Sequence, residues 1–96
     1  MEEPPLITEK AFMQQVIQLA RLLKWKVYHT HDSRRSHPGF VDLVLVRERV
    51  LWAELKSMKG KLSVAQVAWI DALKKAGQEV YVFRPDDWKQ IESVLA

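Results

Sequence analysis

The chain has no cysteine, which excludes disulfides and thiolate zinc sites. Glycine is scarce: Gly39, Gly60 and Gly77 are the only three, widely separated. The clustered glycines that cradle phosphates in P-loop and dinucleotide-binding enzymes are therefore missing. No apolar run approaches the roughly 20 residues needed to span a bilayer. The start, Met1-Glu2-Glu3-Pro4-Pro5, is acidic and proline-bearing, unlike a signal or transit peptide. Internal repeats, low-complexity segments and interdomain linkers are also lacking. These absences leave a soluble, non-secreted domain that suits a reducing cytoplasm.

What is there amounts to one small domain, residues 1–96, with 1–7 as a short tail. This length supports a single core and leaves little room for a second. The net charge of +3 and pI near 9.3 favour an anionic partner mildly, and only if the basic residues cluster.

The most informative stretch is a pair of apolar segments interrupted by charge. Phe40–Val46 carries Asp42, Arg47-Glu48-Arg49 makes a three-residue turn, and Val50–Lys56 carries Glu54 and Lys56. A carboxylate inside an apolar strand is unfavourable unless something binds it, because burying an unpaired charge costs several kcal/mol. If Val46 pairs with Val50 across the turn, Val44 faces Trp52 and Asp42 faces Glu54. Opposed residues of an antiparallel pair have Cβ atoms about 4.5–5.5 Å apart, and Lys56, two residues from Glu54, shares its face. Like charges that close repel, and a divalent cation turns the repulsion into attraction. Oxygen ligands without cysteine favour Mg²⁺ or Mn²⁺. The competing reading is a solvated sheet face on which charges happen to sit.

The remaining elements follow from periodicity. Thr8 is placed to cap a helix whose apolar positions are Phe12, Val16, Leu19, Ala20 and Leu23. Trp25–His31 alternates as a strand, and Asp32–Gly39 is a polar loop. Ser63 begins a helix over Val64–Ala76 that Gly77 ends. Glu79–Phe83 is a strand, and Asp86 is expected to cap a last helix over Asp87–Leu95 that turns Trp88, Ile91 and Leu95 inward. The order is α-β-β-β-α-β-α, an α/β fold with a small mixed sheet flanked by helices, because the β-α-β unit over 50–83 joins parallel strands.

Taken in order, Gly39-Phe40-Val41-Asp42-Leu43, Ala53-Glu54-Leu55-Lys56, Gly60-Lys61-Leu62-Ser63, Gln66 and Trp69 resemble the VRR-NUC family. That family belongs to the PD-(D/E)XK nuclease superfamily and is similar to Holliday junction resolvases. The resemblance runs from Glu9 to about Phe83 and implies a restriction-endonuclease-like fold. It also implies that Asp42 and Glu54 are metal ligands together with the backbone carbonyl of Leu55, and that Lys56 orients or activates the attacking water. Gln66 is the polar residue placed beside the metal, and Glu9 matches an acid that the superfamily often turns toward the same site. The family commonly has proline before the first acid, where this chain has Val41.

The implied activity is Mg²⁺- or Mn²⁺-dependent hydrolysis of DNA phosphodiester bonds, directed at four-way junctions or other branched DNA. A homodimer is expected, since symmetric cutting of a junction needs two sites about a two-fold axis. An accessory replication or repair protein is a further expected partner, and the location would be the cytoplasm or wherever DNA is replicated. The alternative is a nucleic-acid-binding module that keeps the fold without chemistry; a protein-interaction adaptor is a third reading. Several residues carry two readings. Glu9 would favour a helix N-terminus electrostatically in any protein, and Gln66 could reciprocate a capping box with Ser63. Arg34, Arg35, His37, Lys59 and Lys61 lie in loops beside the acids, where they would contact phosphates or merely solubilise the loops. His29, His31 and His37 invite a zinc reading but lack a dependable third ligand. Trp69 and Trp88 are expected in the core, whereas Trp52 shares the face of Glu54.

Overall fold

A computed structural model describes residues 6–30 and 37–96. The first helix, α1 (Glu9–Leu22), starts where Thr8 Oγ1 accepts the amide of Ala11 at 3.1 Å. Its buried stripe is Phe12, Val16, Ile17 and Ala20, the helical spacing expected. The helix stops at Lys24, which takes a left-handed φ of 74° and closes the end through Trp25 N–H to Ala20 O and Lys24 N–H to Arg21 O. This is the hydrogen-bond pattern that glycine usually serves.

Four strands follow as β1 (Lys26–His29), β2 (Leu43–Val46), β3 (Val50–Leu55) and β4 (Glu79–Phe83), with α2 (Val64–Lys75) crossing from β3 to β4. The sheet order is β1-β2-β3-β4. The first two pairings are antiparallel and the last is parallel, so the sheet is mixed as expected. The register also agrees with the turn argument: Val46 faces Val50 and Val44 faces Trp52. The turn itself closes by Arg47 N–H to Arg49 O at 3.0 Å, with no left-handed residue in it. A short 3-10 turn, Pro85–Asp87, leads into α3 (Trp88–Leu95).

Alternation gives the sheet two unlike faces. Leu43, Leu45, Leu51, Ala53, Leu55 and Phe83 pack with the stripe of α1 and with Ile91 and Leu95 of α3 into one core. The opposite face carries Tyr28, Val44, Trp52 and Val80 in one paired row, and α2 lies over its β3–β4 side. Ile70 is the one α2 residue that is fully buried, and it lies outside the main core cluster. The core is thus one-sided, and the second face is left to the site.

Several boundaries differ from the sequence reading. The segment expected as a strand from Phe40 becomes one only at Leu43, and β3 ends at Leu55, one residue before Lys56. The last helix begins at Trp88, and Asp86 does not cap it: Asp87 Oδ2 instead accepts the amide of Arg84 at 2.8 Å, which forms the preceding turn. Trp88 is half-buried against the core as expected. Trp69 is not a core residue: it is half-buried and packs on Phe40 and His37.

Candidate active site

The acids meet at the open end of the β2–β3 hairpin, but not by simple opposition in the ladder. The last paired residues there are Leu43 and Ala53. One residue earlier, the carbonyl of Asp42 still accepts the amide of Thr30 beside β1, at 2.9 Å. On its other side the carboxylate takes over from the backbone, with Oδ2 accepting the amide of Leu55 at 2.8 Å. A strand residue sends its N–H and C=O to the same edge, so the Leu55 carbonyl also faces the Asp42 side. The strand stops at Leu43 because the side chain of Asp42 has replaced the next ladder bond.

Glu54 is the only buried charged residue among those described, at 1% exposure. Its Oε1 accepts from Gln66 Nε2 at 3.1 Å, whereas Oε2 is buried with no partner among the described residues. Burial pushes this carboxyl up to about 9, and the charge of the Asp42 carboxylate beside it adds to the shift. Lys56 pulls the other way, and the charge of Glu9 adds a further push. A buried carboxyl kept protonated beside a second acid could exchange its proton for a cation.

Gln66 reconciles the two readings given to it. Its Oε1 accepts the amide of Ser63 at 2.8 Å and its own amide donates to Ser63 Oγ at 3.1 Å, a complete capping box. The same side chain reaches Glu54 through its amide nitrogen. Glu9, the first residue of α1, lines a hollow with Lys10, Met13, Asp42 and Leu55, so it borders the acids from the side opposite α2. Lys56 is half-buried, and its amide continues the β4 pairing to Phe83 O at 3.0 Å.

His37 sits edge-on to Trp69, ring centroids 5.5 Å apart, at the rim of a second hollow that Asp42 and Gln66 also line. Lys59 and Lys61 are exposed in the loop that follows Lys56, whereas Arg34, Arg35 and His31 lie outside the described residues. Among the described residues no group of three or more His, Cys, Asp or Glu side chains gathers to hold a metal. The zinc reading of the histidines therefore has no support there. The donors brought together are two carboxylates and one carbonyl edge, with Glu9 farther out. That sparse oxygen set suits a cation that keeps several waters, as Mg²⁺ does.

One residue of this region was missed from the sequence. Arg84 Nη1 donates to Ser57 O and Gly60 O, both at 2.6 Å, and so holds the loop after Lys56. Gly60 packs in turn against the Lys56 stem: a Cβ there would lie 3.4 Å from Lys56 Cδ. The signal available was only a lone arginine just after a strand, which does not say what it binds. No described helix is long and apolar enough to cross a membrane.

Comparison with known proteins bears on this geometry. A family model described as the VRR-NUC domain matches residues 6–87. A solved structure described as a VRR_NUC domain protein superposes with a TM-score of 0.75 at 21% identity, over 95% of this chain and 87% of that one. At that identity the likeness speaks for the fold alone. Curated proteins give no significant match.

Proposed function

This chain belongs to the VRR-NUC domain family, a family of nuclease-like domains, and from that membership we propose that it is a metal-dependent endonuclease that hydrolyses DNA phosphodiester bonds, with branched DNA as its preferred substrate. The observation that carries the reading is Oε2 of Glu54, a buried carboxylate oxygen without a partner among the described residues, set beside a second acid. A protein retains such a cost at a functional site and removes it elsewhere.

Asp42, Glu54 and the Leu55 carbonyl would hold Mg²⁺ or Mn²⁺. When bound, the cation supplies Lewis-acid chemistry, stabilising charge on the phosphate and lowering the pKa of water. The side chains do the rest. Asp42 is tied to the Leu55 amide and Glu54 to Gln66, which leaves one oxygen of each for the cation. Lys56 places a fixed positive charge beside them for the phosphate and the attacking water. Lys59 and Lys61 contact flanking phosphates. Two copies related by a two-fold axis would present two such sites to a four-way junction.

The test is cleavage of labelled four-way junction, flap, single-stranded and duplex DNA with Mg²⁺, Mn²⁺ or EDTA, with Lys56→Ala purified in parallel. Metal-dependent cutting that the variant lacks is the expected result. Binding without cutting by the parent, in either metal, would favour the non-catalytic module or an enzyme that needs an accessory protein. Calorimetry with Mn²⁺ adds an independent check, since Asp42→Ala and Glu54→Ala should each abolish binding.

A further inference from the structure

Two hollows, of about 300 Å³ and about 320 Å³, meet at Asp42, the one lining residue they share. Their chemistry differs. The hollow on the α1 side has Glu9 and Lys10 at its mouth. The hollow on the α2 side is walled by Phe40 and edged by Thr30, His37 and Gln66. We infer that the α2-side hollow receives one unpaired nucleobase next to the scissile phosphate, so that the enzyme acts on strands that are unpaired at the cut. The inference rests on the nuclease reading of Asp42 for its position and deepens that reading by naming the state of the substrate strand.

The size of the hollow comes first. About 300 Å³ lies at the small end of ligand sites, room for a single nucleoside and not for a base pair with its neighbours. The wall is also preformed. Phe40 stands edge-on to both Trp69 and Trp52, with centroids 5.1 and 6.2 Å away. Trp69 Nε1 donates to Pro38 O at 3.1 Å, and Phe40 N–H closes the turn on His37 O. Gly39, at φ +83°, brings this turn against α2 so closely that a Cβ would lie 2.4 Å from the Ala65 carbonyl carbon. An aromatic ring held this way lines the hollow and has little freedom left to lose on binding.

Recognition groups line the rim. The Thr30 hydroxyl donates to Val41 O at 2.8 Å and keeps its own lone pairs, while the exposed His37 ring can donate or accept. Stacking on an aromatic ring is worth about 1–3 kcal/mol per base and tolerates any sequence. A paired base must first leave its stack, at a cost of roughly a few kcal/mol. That cost turns the hollow into a filter against intact duplex. A strand running from base hollow to Asp42 to Lys10 then meets, in order, a stacking surface, the acids and a cation suited to the next phosphate.

The experiment reads the tryptophan indole N–H signals of ¹⁵N-labelled Lys56→Ala protein in Mg²⁺, so that no strand is cut during titration. The ligands are hexathymidylate, a duplex of the same length and an abasic hexamer. Trp69 packs against Phe40 and His37 of the lining, whereas Trp25, bonded to Leu95 O, lies at the other end of the hairpin and serves as the internal control of folding. Hexathymidylate should shift Trp69 saturably and leave Trp25 in place, and the duplex and abasic strand should not move Trp69. Phe40→Ala should weaken hexathymidylate binding about tenfold; Phe40→Leu, which keeps apolar bulk and loses the ring, should do the same if the alanine variant unfolds. An equal Trp69 response to duplex or abasic strand, or none at millimolar ligand, overturns the inference. Cleavage by the parent without a Trp69 response defeats the base hollow and leaves the nuclease standing; a Trp69 response without cleavage by the parent in any metal does the opposite.

Discussion

The two ends of the β2–β3 hairpin hold charges of similar number and treat them in opposite ways. At the turn, every charge is answered. Arg47 pairs with Glu48, lies 4.4 Å over the Trp25 ring, and donates to Leu23 O, Leu95 O and Ala96 O. Arg49 pairs with Glu79 and donates to Val94 O. Two arginines thus close the C-terminal ends of α1 and α3, where backbone carbonyls lack partners and cations are favoured. At the open end, Asp42 and Glu54 are pressed together with one oxygen left over. The same ribbon therefore has a satisfied end that holds helices and an unsatisfied end at the candidate site. Satisfaction of charge, rather than its density, separates the two clusters.

Substitutions can break that contrast, and the largest effect should come from the open end. Glu54→Gln is expected to lower metal-dependent cleavage by roughly a thousandfold while stabilising the metal-free domain by about 1–3 kcal/mol in urea unfolding, because the neutral amide does not have to take up a proton on burial as the carboxyl does. A loss of stability would show that Glu54 is structural. Arg47→Ala should do the reverse, lowering the melting temperature by several degrees as helix ends lose their donors, while calorimetric Mn²⁺ binding at low temperature stays as in the parent.

Titration sharpens the contrast further, since the two ends respond to pH with opposite sign. The Glu54 carboxyl is raised to about 9 from an ordinary value near 4.5, so the folded state holds a proton that the unfolded chain releases. In EDTA its contribution is full below about pH 4.5 and is lost as pH rises toward 9. Melting curves across pH 5–9 should therefore show a falling melting temperature in the parent, and a flatter profile in Glu54→Gln or with Mn²⁺ present. Glu48 is lowered to about 2 by its hydrogen bond to Arg47, so its contribution is present above about pH 4.5 and is lost as pH falls toward 2. Being exposed, it should matter least: Glu48→Gln should leave the melting temperature at pH 7 nearly unchanged and flatten only the acid side of the profile.

Much of this was legible in the sequence because a tight turn and strict alternation leave few choices. Once Val46 faces Val50, the placement of Val44 and Trp52 follows, and acids in apolar strands announce themselves. Alternation is blind, however, to a side chain that takes the place of backbone. Nothing in Val41-Asp42-Leu43 signals that the Asp42 carboxylate would accept from Leu55 and end the strand. Asp86 and Asp87 are equally good caps by type, and only the fold decides which one turns back to Arg84. The arginines were the least readable: Arg47, Arg49 and Arg84 are long donors whose carbonyl partners lie on distant elements, and periodicity carries no information about such reach. Trp69 was misjudged because apolar spacing on α2 is the same whether the helix covers a core or a loop.

The double use of Gln66 bears on when the chain becomes competent during folding. Its oxygen starts α2 and its nitrogen holds Glu54, so the acid is oriented only after the first turn of the crossover helix has wound. A nascent chain that has formed its hairpin carries both carboxylates yet lacks their arrangement. The arrangement of the acids is therefore a property of the hairpin and the crossover helix joined, and of neither alone.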